Sequence, residues 1–211
     1  SAAICEEWLE RDKVLSGRQK DAIRQYVRMH TDKPEELYQI YHAMIRGENY
    51  KAETLEVLME EGQPVIKIAG NEIRAAFEQL NDFVQKLILL TERTLPLGSV
   101  VEVDIRELKL ETEKPVSSIK VVIVDRFMKK ETEKQYVPYC GIIYPFGDSK
   151  KQLFFTEQAI HTVIHYGYTD RQEDAYVALI KREIIKKGYS SYSFAEAEDD
   201  KIRMLQSDIN L

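Results

Sequence analysis

Two of the chain's four histidines, His161 and His165, stand four residues apart in FFTEQAIHTVIHYGYTD (154–170), with Glu157 four residues ahead of them. On a helix these three would share one face, and imidazoles at i and i+4 can chelate zinc. A metalloprotease also needs a glutamate between such histidines, and none is present. A carboxylate eight residues from His165 would lie about 12 Å up the helix axis, too far to share its ion. The structural alternative is a helix in which Ile160, Val163 and Ile164 form the buried stripe. Gly167 would end it in the left-handed conformation, and Tyr168 would fold back on the last turn. Cys140 with a histidine is the other route to chemistry, as a thiol nucleophile. Its setting, Tyr-Cys-Gly-Ile-Ile within a presumed strand, fits burial better than the electropositive, open site a reactive thiol needs. Asp104, Asp125 and Asp148 fall on different presumed strands or turns and could converge, but any β domain offers such coincidences. GxSxG, P-loop, GxGxxG, EF-hand and HExxH patterns do not occur. No catalytic, cofactor or metal residue is therefore expected, and the enzyme alternative is a hydrolase using His161, His165 or Cys140.

The elements that would hold these residues change character near Leu95-Pro96-Leu97-Gly98. Ahead of that point apolar residues recur at helical spacing. Helices are expected around Ile4 to Leu15, Ala22 to His30, Leu37 to Met44 and Ala52 to Met59. A fifth, long helix of almost thirty residues is expected from Pro64, about 40 Å if unbroken at Gly70-Asn71. Thr31-Asp32-Lys33-Pro34 marks the start of the third and Gly47 its end. After Leu95 come short runs rich in valine, isoleucine and tyrosine, which predict four antiparallel strands near 100–105, 117–127, 134–144 and 151–155, with Pro138 at an edge or bulge. The repeated Glu-Thr-Glu-Lys (111–114 and 131–134) fits two solvated turns. Thr169 to Gln172 matches a capping box for a helix running to Gly188. The tail beyond 189 offers a further short helix from Ser193, with Phe194, Ile202 and Leu205 on its apolar face, or a mobile end. The fold class is α+β: a helical region 1–94, a sheet-bearing domain 95–188 and a tail 189–211.

Composition narrows the function classes. The 211 residues carry 30 Lys and Arg against 36 Asp and Glu, a net charge of −6. Neither half is basic, so a nucleic-acid partner is not expected. No apolar run approaches the roughly 20 residues of a membrane span, and the start shows no signal-peptide pattern. The two cysteines make no CxxC, which fits free thiols in a reducing cytoplasm.

The second half carries a resemblance. Leu95 to Val101 reads LPLGSVV, Tyr144 to Gly147 reads YPFG, and Ile160, Val163, Gly167, Tyr168 and Asp170 follow in order. This LPLGSVV, YPxG and GYxD pattern resembles a small uncharacterised domain family of Gram-positive bacteria encoded in type VII (ESX, LXG toxin) secretion loci. Pro96, Gly98, Pro145, Gly147, Gly167, Tyr168 and Asp170 are its structural motif residues here. The resemblance implies a non-enzymatic cytoplasmic accessory protein, a chaperone or targeting adaptor that binds a helical LXG or WXG-type effector. An immunity protein neutralising a polymorphic toxin is the alternative. The expected contact surface is the stripe Ile73, Phe77, Leu80 and Val84 on the long helix, because helical partners pair through amphipathic faces.

Overall fold

A computed structural model describes residues 1–104 and 117–194. The chain divides into two compact units, one of residues 1–94 with 178–187, the other of 95–177 with the residues from Gly188 on. The fold class is α+β, with five α-helices among the described residues, but the arrangement of strands differs from the expected one.

The first unit opens with helices α1 (Ala2–Arg11), α2 (Gly17–Met29) and α3 (Glu35–Arg46). Helix α1 stops early because the Asp12 carboxylate accepts the N–H groups of Val14 and Leu15, both at 2.8 Å, and turns the chain. Ser16 and Gln19 then form a reciprocal capping box at the start of α2. Helix α3 begins with Glu35 and Glu36 at its positive end and stops at Gly47, whose φ of +67° closes it as a left-handed cap.

The fourth expected helix and the first part of the long one are strands. Strands β1 (Tyr50–Lys51), β2 (Leu55–Glu60), β3 (Gln63–Ile68) and β4 (Asn71–Ile73) make a four-stranded antiparallel sheet in that order. The turns Glu61-Gly62 and Ala69-Gly70 have positive φ at both residues, the geometry of two-residue hairpin turns whose twist matches that of the strands. Gly70-Asn71 is thus a hairpin corner, and the 40 Å rod does not exist. Only helix α4 (Phe77–Thr91) remains of it, burying Leu80, Val84, Leu87 and Ile88. Each such fully buried aliphatic side chain contributes about 1.5–3 kcal/mol.

In the second unit, strands β5 (Val100–Asp104), β6 (Ser118–Lys130), β7 (Gln135–Ile143), β8 (Gln152–Phe155), β9 (Ile160–His165) and β10 (Ser190–Ser191) form a six-stranded sheet, not a four-stranded one. The order is β10-β7-β6-β5-β9, with β8 also against β7. All pairs are antiparallel except β10 with β7. Pro138 lies on β7 between the stretch paired to β10 (Gln135, Tyr136) and the stretch paired to β8 (Tyr139 to Ile142), so on that edge it falls in the gap between two ladders. The core holds Leu95, Val101, Val103, Val121, Ile123, Tyr139, Leu153 and Phe155.

Helix α5 (Arg171–Lys187) leaves the second unit and ends in the first, stopping at Gly188 (φ +66°). Its cap is Asp170, not Thr169: Asp170 Oδ1 accepts the N–H groups of Gln172 and Glu173, each at 2.9 Å. Glu131–Glu133 is a 3-10 turn between β6 and β7, whereas the other Glu-Thr-Glu-Lys, Ile105, and the expected tail helix beyond Phe194 lie outside the described residues. No helix among the described residues is long and apolar enough to cross a membrane.

Candidate recognition groove

The stretch that raised the zinc hypothesis is neither a helix nor a helix end. Glu157–Ala159 is a 3-10 turn and Ile160–His165 is the edge strand β9. Val101 and Val103, two apart on β5, face Val163 and Ile160, three apart on β9, because the register slips there. A second slip lies between Val163 and His165. The inward residues of a bulged strand therefore recur every three positions, imitating a helix. His161 and His165 are exposed, and Glu157 accepts a hydrogen bond from Ser193 Oγ at 2.9 Å. Among the described residues no three His, Cys, Asp or Glu side chains converge as a metal site.

Gly167 is not a left-handed cap, since its φ lies outside that region. It is glycine because of close approach: a Cβ there would stand 2.0 Å from the Leu97 carbonyl oxygen. Its N–H donates to Ser99 Oγ (3.0 Å), and that hydroxyl in turn donates to the Pro96 carbonyl (2.7 Å). Gly98, at φ +78°, lets the loop fold back so that its N–H meets the Ile123 carbonyl (2.8 Å). Two of the motif segments, LPLGSVV and GYxD, are thereby clamped together at the end of the sheet. The third, at Tyr144 to Gly147, forms the turn leading to β8, where Pro145 follows a cis bond, Gly147 has φ +66° and Phe146 is 83 % exposed.

Beneath the clamp lies Arg126, 5 % exposed. Its guanidinium makes a bidentate ion pair with Glu173, with Nη2 to Oε2 at 3.0 Å, and donates to the Leu95 carbonyl from Nη1 at 3.2 Å. It also stacks 5.6 Å from the centre of the Tyr176 ring. Tyr139 closes the same corner by accepting the Leu95 N–H at 3.1 Å. One buried cation thus ties the LPLGSVV loop to strand β6 and to the first turn of α5.

Above it is an open groove of about 460 Å³ lined by Leu97, Asp125, Arg126, Tyr168, Asp170, Gln172, Glu173 and Tyr176. Leu97 is 48 % exposed, Tyr168 81 % and Tyr176 45 %. Tyr168 therefore does not fold back on any helix turn; it stands out in solvent beside the groove.

The remaining candidates lie elsewhere. Cys140 is buried in β7 with Sγ 3.5 Å from Gln152 Oε1, and burial, with Asp125 adding to it, pushes its pKa up to about 11. Ile73 is on β4 and not on a long helix; Ile73, Leu80 and Val84 are buried within the first unit, and Phe77 is half-buried. Of the groove-lining residues, Arg126 and Tyr176 were not singled out by the sequence, and Asp125 entered only beside Asp104 and Asp148. The signal for Arg126 was a lone arginine inside a strand as apolar as KVVIVDRF, a charge that folding had to pair.

No curated protein and no solved structure matches the chain. Residues 94–176, the segment that carries the clamp and the whole groove, match a family model described as "Domain of unknown function (DUF4176)".

Proposed function

We propose that this chain is a non-enzymatic binding protein, a chaperone or targeting adaptor for an LXG or WXG-type effector of type VII secretion, and that it recognises its partner at the groove of the second unit. The observation that supports this reading is the placement of Leu97 and Tyr168. Both belong to the motif segments, yet neither is buried, and both flank Tyr176 on a base held by Arg126. Exposed aromatic side chains beside a pre-formed pocket are what interfaces use as anchors. The secretion context comes from the LPLGSVV, YPxG and GYxD resemblance. The buried placement of Ile73, Leu80 and Val84 moves the expected contact surface from the helical half to this groove.

Co-expression with the two halves of an LXG protein encoded beside the gene tests the reading. An adaptor co-purifies with the export end. Co-purification with the toxin end alone would make the protein an immunity factor, and capture of neither would reject both.

A further inference from the structure

The charge around the groove narrows what its occupant can be. Three carboxylates line it, Asp125, Asp170 and Glu173, against one cation, Arg126. Arg126 and Glu173 form a largely buried ion pair that adds no net charge to the lining, which leaves Asp125 and Asp170 as its net charge. Asp125 and Asp170 are exposed. Asp125 Oδ1 accepts the Arg126 N–H at 2.7 Å, and Asp170 Oδ1 caps α5. A carboxylate has about four acceptor positions, so each retains capacity for a further donor. Asp170 also occupies the positive end of α5, where an anion would otherwise bind.

The rest of the lining suits a cation with a long apolar stem. Tyr168 offers a ring that attracts positive charge, and Tyr176, which already holds Arg126 against its ring, offers its exposed surface to an apolar stem. Leu97 offers aliphatic surface against which the methylenes of a lysine or arginine can lie while the head group reaches water and carboxylates. A purely apolar segment would leave two carboxylates facing it unpaired, and an acidic one would be repelled.

We propose that the groove holds a lysine or arginine side chain carried on an apolar segment of the protein partner, its stem on Leu97 and Tyr176 and its head between Asp125 and Asp170. This deepens the binding role assigned above and rests on it for the identity of the partner, but not for the chemistry of the groove.

The test uses the full chain and two fluorescent capped peptides, one alternating leucine with lysine and one alternating leucine with glutamate, followed by anisotropy. The lysine peptide is expected to bind at least about tenfold tighter than the glutamate peptide, with affinity falling as salt rises. Asp125→Lys and Tyr168→Ala are each expected to weaken it about tenfold. Glu48→Lys changes the net charge as Asp125→Lys does, but at an exposed site of the first unit; it is expected to leave affinity within about twofold. Failure of the lysine peptide to bind, equal binding of the glutamate peptide, or equal weakening by Asp125→Lys and Glu48→Lys would each overturn the proposal. Peptide binding that follows the expected pattern, with no effector capture by the same protein, would reject the secretion role and leave the groove assignment standing.

Discussion

At the scale of single residues, Gly167 separates two physical roles that glycine can have. A left-handed cap tolerates asparagine, whereas a close approach tolerates no Cβ at all. With the Leu97 carbonyl oxygen 2.0 Å from where a Cβ would sit, Gly167→Ala and Gly167→Asn should both lower stability by about 1–3 kcal/mol in urea unfolding. Equal stability of the asparagine variant would restore the cap. Arg126 sets a second test. Arg126→Ala strands the mostly buried Glu173 carboxylate and should cost about 3–5 kcal/mol, while Arg126→Met with Glu173→Leu should recover much of the loss, because an apolar pair leaves no buried charge unmatched. The thiols give a third. Burial raises Cys5 and Cys140 alike to about 11, Glu6 adding to the effect at Cys5 and Asp125 at Cys140. Folding favours the protonated thiol in both. The stability this contributes is complete below the ordinary thiol pKa near 9 and is lost as the pH rises through about 11. At pH 8 a pKa of about 11 leaves about one thiol in a thousand ionised. Ellman's reagent should therefore label neither cysteine in the native protein within minutes and both in denaturant.

At the scale of elements, periodicity succeeded where an element was regular and failed where turns or bulges shifted its phase. Helices α2 and α3 were legible from their stripes, and Gly47 and Gly188 from their stop positions. The hairpin β2–β3–β4 was not, because Val65, Ile68, Ile73 and Leu80 fall close to a 3.6-residue repeat. The cues against a helix were the alternation Leu55-Val57 and Ile66-Ile68, and the two glycines eight residues apart, which are Gly62 and Gly70 at tight turns. Strand β9 misled for a different reason: its register slips put Ile160 and Val163 on one face, at the spacing of a helix turn. Its β-branched run, Ile160, Thr162, Val163 and Ile164, was the signal that favoured a strand. Backbone and Cβ chemical shifts should accordingly be strand-like over 55–60, 63–68 and 160–165, and between residues 50 and 91 helical only from Phe77. Helical shifts across 160–165 would return His161 and His165 to one helix face.

At the scale of the whole molecule, the chain keeps helices α1 to α4 and the small sheet in one unit and its motif residues in the other. The order of the motif was visible in the sequence, but not its convergence. Leu97 and Tyr168 are far apart along the chain, and what joins them is the Ser99 hydroxyl and the absence of a Cβ at Gly167. The groove's other aromatic, Tyr176, fell within the helix expected to run to Gly188 and carried no further signal. The claim that these side chains form a recognition surface is tested most directly by calorimetric titration of the export half of the proposed LXG-type partner into the wild-type chain and into Tyr168→Ala. Tyr168 is 81 % exposed, so the variant should keep its melting temperature while its Kd rises about tenfold or more. Unchanged affinity in a variant that melts like the wild type would contradict the assignment of recognition to this groove.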